Sequence, residues 1–245
     1  IGEFKPQIAM ILGSGLSKGC PEIKVLKEIS YKKLGLPTSK VKGHFSKIVF
    51  GEYNGLKIVK LPRYHYYEKG NLDLVNIPYY ILNKLGIETI ILATATGGVS
   101  DSAKSGGLFI VKDHINFAPN PLIGIKDQYF LSLDNAYDTE YIKTIKKIAK
   151  KEKIDMLEGV HAQMSGPSYE TSAEVNMLKM CGVDTCSMST AQDVILCRFY
   201  GLKVICFAGV CNRAGTKTSH EEVLRESQKI SVDLKKLITK FIENI

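Results

Sequence analysis

The sequence predicts an α/β fold: a single domain over residues 1–245, with a mixed central β-sheet flanked by helices on both faces. Three observations carry that prediction. Short apolar runs of strand length alternate with helical patterns along the whole chain. No internal repeat, low-complexity stretch or Pro/Ser-rich linker divides it. The 245 residues are 44% hydrophobic and 24% charged, a globular composition. A chain of this size buries on the order of 70–75% of its unfolded surface and needs no disulfide or metal staple.

The elements follow in order. Gln7 to Leu12 is a short apolar run closed by Gly13-Ser14-Gly15. Lys47 to Tyr53 and Leu56 to Leu61 flank Asn54-Gly55, a strong short-range hairpin signal. Leu72 to Leu85 has the helical pattern and stops at Gly86, and Glu88 to Ala95 is a buried strand ending at Gly97-Gly98. Leu108 to Val111 is a further apolar run, Thr139 to Lys151 an amphipathic helix, and Val160 to Met164 a strand. Thr171 with Glu174 makes a capping box for a helix to Met180. Ala191 to Tyr200 is helical up to Gly201, and Val204 to Val210 is a buried strand. Ser219 with Glu222 opens the last helix. Its inward stripe is Val223, Ser227, Ile230, Leu234, Leu237 and Phe241.

Composition narrows the function classes. No uncharged run is long enough to cross a membrane as a helix. No basic segment followed by an apolar one opens the chain, so no secretion signal is expected, and Ile1 to Phe4 are read as a trimmed or added end. Lys plus Arg is 33 against 25 for Asp plus Glu, a net charge of +8. The lysines crowd helical faces at residues 143–153 and 235–240 without interleaved aromatics, as a solvated surface does. Nucleic-acid binding is therefore not expected. The six cysteines contain no C-x-x-C pair, and four of them lie in apolar segments. They are expected to be free thiols in a reducing compartment, which places the chain in the cytoplasm.

Polar chemistry gathers at the strand ends, where open sheets receive ligands. Gly13-Ser14-Gly15 can bring backbone N–H groups and a hydroxyl to an anion, although alone it reads as a tight turn, and no Walker lysine follows it. In Arg63-Tyr64-His65-Tyr66-Tyr67, an extended backbone would point Arg63, His65 and Tyr67 to one face, a good oxyanion site or else a surface turn. Thr94 to Gly98 exposes backbone amide at a strand end. Glu170 sits beside the Thr171 cap, where the helix dipole alone would favour it, or where it could accept from ligand N–H groups. Met188-Ser189-Thr190 enters the next helix. Asn212, in Cys211-Asn212-Arg213, offers donor and acceptor together, as the edge of a base requires. No G-x-S-x-G elbow and no His/Asp/Glu set with metal-ligand spacing occurs. A metal-free phosphate cradle with a base-reading amide and carboxylate suggests phosphate attacking a nucleoside.

Together these stretches resemble the trimeric purine nucleoside phosphorylase family, from about Pro6 to about Leu237. The carriers are GSG at 13–15, RYHYYE at 63–68, ATATGG at 93–98, DHIN at 113–116, AYD at 136–138, GPSYET at 166–171, MST at 188–190, CNR at 211–213 and HEEVL at 220–224. The resemblance implies the nucleoside phosphorylase type of α/β fold. It implies a phosphate site of Ser14, His44, Arg63, His65, the Ala95 amide and Ser189. It implies a nucleoside site of Tyr67, Phe130, Tyr169, Glu170, Met188, Asn212 and His220, with Asn212, Glu170 and His65 as the catalytic groups. Phe130 would be lent to a neighbouring copy's ribose pocket, which implies a homotrimer. No cofactor or metal is implied, and inorganic phosphate is the co-substrate. The expected reaction is reversible phosphorolysis of 6-oxopurine ribonucleosides and deoxyribonucleosides, inosine and guanosine, in purine salvage. Related methylthioadenosine phosphorylases carry Ser for this Glu and Asp for this Asn, so Glu170 and Asn212 favour the 6-oxo substrate over S-methyl-5′-thioadenosine. Cys211 stands where the family often has Thr, and the segment from Asn212 to His220 is short for the family. A nucleoside sensor without catalysis is the remaining alternative, and it conflicts with intact Arg63, His65, Glu170 and Asn212.

Overall fold

The chain begins its ordered path at a central strand, β1 (Ile8–Leu12), whose five residues are all buried. The structure, a computed structural model, describes residues 4–39, 46–125 and 130–245. Among these, nine strands form one mixed sheet. β2 (Lys24–Ser30) pairs antiparallel with β3 (Lys47–Tyr53), and β3 with β4 (Leu56–Lys60). The expected hairpin is present: Asn54 and Gly55 both take positive φ, 48° and 83°, the backbone that a tight two-residue turn demands. β4 runs parallel to β1, and β1 parallel to β5 (Thr89–Gly98).

Beyond β5 the sheet curls on itself. β5 pairs with β9 (Lys203–Arg213) along one edge, and with β8 (Thr185–Ser187) at its far end. β8 continues to β7 (Met156–Gln163), β7 to β6 (Leu108–Asn116), and β6 returns to β9. The five strands thus close a ring, which removes the sheet edge on that side.

The sequence underestimates several strands and misses two. β6 and β7 extend beyond the apolar runs read from the sequence, because their added residues are largely polar or exposed and break the apolar pattern. β2 is exposed along almost its whole length, an edge strand without the alternation that a half-buried strand shows. β8 has three residues, too few for any period.

The helices cover the sheet in two layers. α2 (Leu72–Lys84) packs with α5 (Ala191–Phe199), and α3 (Thr139–Glu152) with α6 (His220–Ile242). β9 separates the layers by its alternation. A Cβ on Gly209 would touch Ile230 of α6, and Cys211 Sγ lies 3.1 Å from Ser227 Oγ of α6, so these odd-numbered positions face α6. Both capping boxes form. Thr171 N–H donates to Glu174 Oε2 at 2.7 Å at the head of α4 (Ser172–Met180), and Ser219 N–H donates to Glu222 Oε2 at 2.9 Å at the head of α6. Val223, Ser227, Ile230, Leu234, Leu237 and Phe241 are all buried, as the stripe predicts. No helix among the described residues is long and apolar enough to cross a membrane. The six cysteines are free, and Cys181 alone of them is exposed.

Candidate active site

β1 leaves the edge of β5 after the pair Leu12 and Ala93, and β8 joins that edge only at Gly97. Between them, Thr94, Ala95 and Thr96 have lost one neighbour and not yet gained the other. A cavity of ≈ 350 Å³ opens at this gap, lined by all three residues. Its volume falls in the range of small-molecule sites.

The Gly13-Ser14-Gly15 turn closes the gap on one side. Gly13 N–H donates to the Ala93 carbonyl at 2.8 Å. Gly15 has φ 74°, and a Cβ there would come within 2.7 Å of Ser227 Cβ, so only glycine lets the turn press against α6. Ser14 is thereby placed on the cavity wall.

His65 and Tyr67 reach the same wall, but not by the extended backbone that the sequence suggests. The chain turns at Tyr66 into the short helix α1 (Tyr66–Lys69), with His65 as its N-cap. The two rings stack, with centroids 4.9 Å apart and planes 30° apart. Glu68 holds the imidazole in place: its Oε1 lies 3.3 Å from His65 Nδ1, and its Oε2 accepts from Ser39 Oγ at 2.7 Å. Burial alone would push the Glu68 carboxyl up. The bonds from His65 and Ser39 outweigh it and hold the group at about 2.

Arg63 corrects the expectation. Its side chain turns inward, buried, and does not line the cavity. Nη1 lies 2.7 Å from Asp193 Oδ2 of α5, and Nη2 donates to the carbonyls of Ala93, at 3.1 Å, and Ile11, at 3.4 Å. The physical reason is Asp193 itself, a buried carboxylate that needs a counter-charge. Asp193 Oδ2 also accepts from the Thr190 N–H at 3.2 Å. Thr190 takes φ 97°, a strained conformation for a β-branched residue, which this contact helps to hold. The strained turn presents Ser189 to the cavity.

Opposite the hydroxyls, the loop between β7 and α4 brings Tyr169 and Glu170, and β9 brings Asn212. Met188 lies between the two ends, and His220 and Val223 enter from the head of α6. Burial raises the Glu170 carboxyl above its usual range, and contacts with its own backbone N–H and the Cys186 thiol partly offset this. Asn212 Nδ2 donates to the Arg213 carbonyl at 3.0 Å, which fixes the amide plane and leaves its second N–H proton for a ligand.

Of the residues expected at the site, all but three line this one cavity. Arg63 stands behind it. His44 lies outside the described residues. Phe130 lies elsewhere, fully exposed, at a second hollow of ≈ 450 Å³ with Ile123, Leu131 and Phe199. The sequence reading gave no role to Thr96, Cys186 or Ser187, which also line the cavity. Cys186 and Ser187 belong to the three-residue strand that periodicity cannot detect. It also passed over His161 in β7, whose imidazole contacts Ser187 Oγ at 3.0 Å. A lone histidine in an apolar strand was the available signal. Burial pushes the His161 imidazole down to about 3. Among the described residues no group of acidic, His and Cys side chains could hold a metal ion.

A model of the phosphorylase superfamily matches residues 7–243. Purine nucleoside phosphorylase 1 of Geobacillus stearothermophilus is 34% identical over 251 aligned residues, which cover 98% of this chain and 92% of that protein. Purine nucleoside phosphorylase of Mus musculus is 32% identical, with 99% of this chain and 90% of its own covered. Among solved structures, Schistosoma mansoni purine nucleoside phosphorylase in complex with inosine superposes with a TM-score of 0.89 at 31% identity, over 99% of this chain and 91% of that one.

Two outcomes follow from the buried charges. Arg63→Ala strips Asp193 of its partner inside the protein and is expected to cost about 3–5 kcal/mol of unfolding free energy, read by urea unfolding. A loss below about 1 kcal/mol would show that the pair does not brace the turn. His161 makes stability fall in acid. The unfolded chain takes up its proton below 6.5, while the folded chain refuses it down to about 3. The contribution is complete above pH 6.5 and shrinks by about 1.4 kcal/mol per pH unit below it, roughly 2 kcal/mol by pH 5. Glu68 adds its own loss only below its ordinary 4.5. Unfolding curves of wild type and His161→Phe should therefore diverge in slope between pH 6.5 and 5, and parallel slopes would remove His161 from the account.

Proposed function

The chain belongs to the phosphorylase superfamily, among the purine nucleoside phosphorylases, and from that footing we propose that it cleaves 6-oxopurine nucleosides, inosine and guanosine, with inorganic phosphate, in purine salvage. One observation carries the reading. A single cavity, which His65 also lines, holds Ser14 and Ser189 beside residues 93–94 of β5 and Glu170 and Asn212 beside Gly97, an acid and an amide three residues further along the strand. A nucleoside with a phosphate beneath its sugar has that same polarity.

The proposed steps use those groups in turn. Phosphate rests on Ser14, His65, the Ala95 backbone amide and Ser189, on the side of the ribose away from the base; His44, outside the described residues, is assigned to phosphate by the family resemblance alone. Arg63 would have to leave Asp193 to touch it; where it stands, it braces Ala93 and Asp193 behind the cradle. Tyr67 and Met188 flank the ribose, His220 meets its 5′-hydroxyl, and Tyr169 walls the base. The C1′–N9 bond stretches, positive charge grows on the ribose, and the phosphate oxygen that forms the new C1′–O bond stabilises it. The electron pair of the broken bond goes to the purine. Asn212 donates to N7, and Glu170 accepts from N1–H and from the 2-amino group of guanine. The ribose 1-phosphate formed from hydrogen phosphate gives up its remaining proton and the purine anion takes one up, so the products are neutral free base and ribose 1-phosphate dianion, and no cofactor takes part. Adenine offers a lone pair at N1 and meets the Glu170 carboxylate unfavourably, so S-methyl-5′-thioadenosine is the poorer substrate.

Phe130 supports a homotrimer. Its ring is wholly exposed beside an apolar hollow and outside its own chain's cavity, where a neighbouring copy could receive it. Sedimentation at micromolar concentration should give three times the chain mass, and Phe130→Ser should raise the nucleoside KM. A monomer with full activity overturns this assignment.

The central test follows hypoxanthine release from inosine with and without phosphate. Cleavage is expected only with phosphate, faster for inosine than for S-methyl-5′-thioadenosine. Asn212→Ala should lower kcat/KM about 10²-fold or more, as loss of a group serving the transition state does. Phosphate-independent hydrolysis, or an Asn212→Ala variant at wild-type rate, sinks the mechanism.

A further inference from the structure

Behind the oxyanion end of the cavity runs a line of five polar side chains. At its buried end His161 has no exposed surface. Its Nδ1 lies 2.9 Å from Thr185 Oγ1, and its Nε2 lies 3.0 Å from Ser187 Oγ. Ser187 Oγ lies 3.3 Å from Thr94 Oγ1, and Thr94 Oγ1 lies 3.1 Å from Ser189 Oγ. The last three residues line the cavity.

Proton counting gives the line a direction. A hydroxyl has one proton to donate and two lone pairs. Ser187 Oγ has four neighbours: His161 Nε2, Thr94 Oγ1, and the N–H and carbonyl of Ser189. The Ser189 N–H must donate, at 3.3 Å, and takes one lone pair. With the imidazole proton on Nε2, His161 donates to the other or to the Ser189 carbonyl, and in either case the ring nitrogen offers Ser187 no lone pair. The Ser187 proton must then point away from the ring, to Thr94 Oγ1 or to the Ser189 carbonyl. Of the two protons on Thr94 and Ser189, one spans the 3.1 Å contact between them and the other is left for the cavity. With the proton on Nδ1 the order reverses: Ser187 donates inward to Nε2, Thr94 donates inward to Ser187, and Thr94 turns a lone pair toward the cavity.

Thr185 decides between the two. It is 1% exposed, and His161 Nδ1 is the partner found for its hydroxyl among the described residues. A proton on Nδ1 would leave the Thr185 proton buried without an acceptor, a costly arrangement. The Thr185 hydroxyl therefore donates to Nδ1, and the ring carries its proton on Nε2. Burial keeps the ring neutral, so this single proton sets the polarity of everything outward.

We propose that His161 is a positioning residue for phosphate: it orders the hydrogen-bonded Thr94–Ser189 hydroxyl pair so that the proton left over points into the cavity as a donor, and it never touches the anion itself. The proposal rests on the phosphorolysis reading for the identity of the anion. It assigns the phosphate site a buried partner outside the cavity wall and makes Thr94 the link to Ser189.

The test separates a selective effect from a packing effect. In the full-length enzyme, His161→Phe is expected to raise the phosphate KM at least tenfold and to leave the nucleoside KM within twofold. His161→Gln, whose amide keeps one donor group and one acceptor, should bring the phosphate KM back to within threefold of wild type. Equal rises in both KM values, or an unchanged phosphate KM in folded His161→Phe, overturns the proposal. Should His161→Phe not fold, Ser187→Ala cuts the same line at its middle and must give the same selective rise. Calorimetric titration with inorganic phosphate repeats the comparison without turnover. A wild-type enzyme that binds phosphate but does not cleave inosine fails the reaction and leaves the role of His161 standing. Intact cleavage with phosphate affinity untouched by His161→Phe fails the role of His161 alone.

Discussion

The site exists because one edge of β5 changes partners. β1 follows it to Ala93 and β8 resumes at Gly97. A backbone edge that loses its neighbour inside a protein must find other partners or face a ligand. Here the Gly13 turn approaches from one side and the Ser187–Ser189 segment from the other, and a cavity remains between them. β9, running along the opposite edge from Thr89 to Gly98, keeps β5 straight through the gap. Its own register shifts between the partners of Thr96 and Gly97, where it delivers Asn212. Such irregularities recur beside active sites because they re-aim side chains.

Rigidity behind the gap comes from charge as well as packing. Arg63 and Asp193 form a buried ion pair, a weak source of net stability but expensive to break. Its use here is geometric. Arg63 grips the carbonyls of Ile11 and Ala93, at the place where β1 and β5 part. Asp193 grips the Thr190 N–H, in the strained turn that carries Ser189. One pair therefore ties the two banks of the gap together. A hydrophobic pair of similar volume would lack hydrogen bonds to both backbones.

This arrangement also explains what the sequence could and could not show. The hairpin at Asn54-Gly55, the two capping boxes and the α6 stripe were legible because each is a local pattern with a local cause. Ser14, Ala95, Glu170, Asn212 and His220 were legible because they sit in short motifs at strand ends or helix heads. Arg63 was not: two-residue spacing from His65 predicts a shared face only in extended backbone, and the chain coils into α1 after His65. Asp193, the residue that captures Arg63, lies 130 positions further on in a largely buried helix, where an acid near the N-terminus has an ordinary explanation. The line from His161 to Ser189 crosses β7, β8 and β5, and no single-segment pattern encodes a contact among three strands.

The two ends of the cavity ask for opposite things from their surroundings. The oxyanion end must supply donors without supplying protons, since a dianion surrounded by acids would be protonated and would lose its nucleophilicity. Hydroxyls and backbone N–H groups meet that demand, and a neutral buried imidazole behind them can orient protons but cannot release or gain one near neutral pH. In the proposed reaction the Glu170–Asn212 end would accept an N–H while the ring beyond it gains negative charge. A carboxylate is a strong acceptor, but burial disfavours its charge, which is why the Glu170 group sits above its usual range. The backbone N–H at Glu170 and the Cys186 thiol restore part of that balance. A bound base would restore more through its N1–H, so a ligand with a donor at that position stabilises the charged carboxylate, whereas one with a lone pair there opposes it. On the proposed reaction, discrimination between purines would follow from the charge state of one half-buried acid, set by its burial.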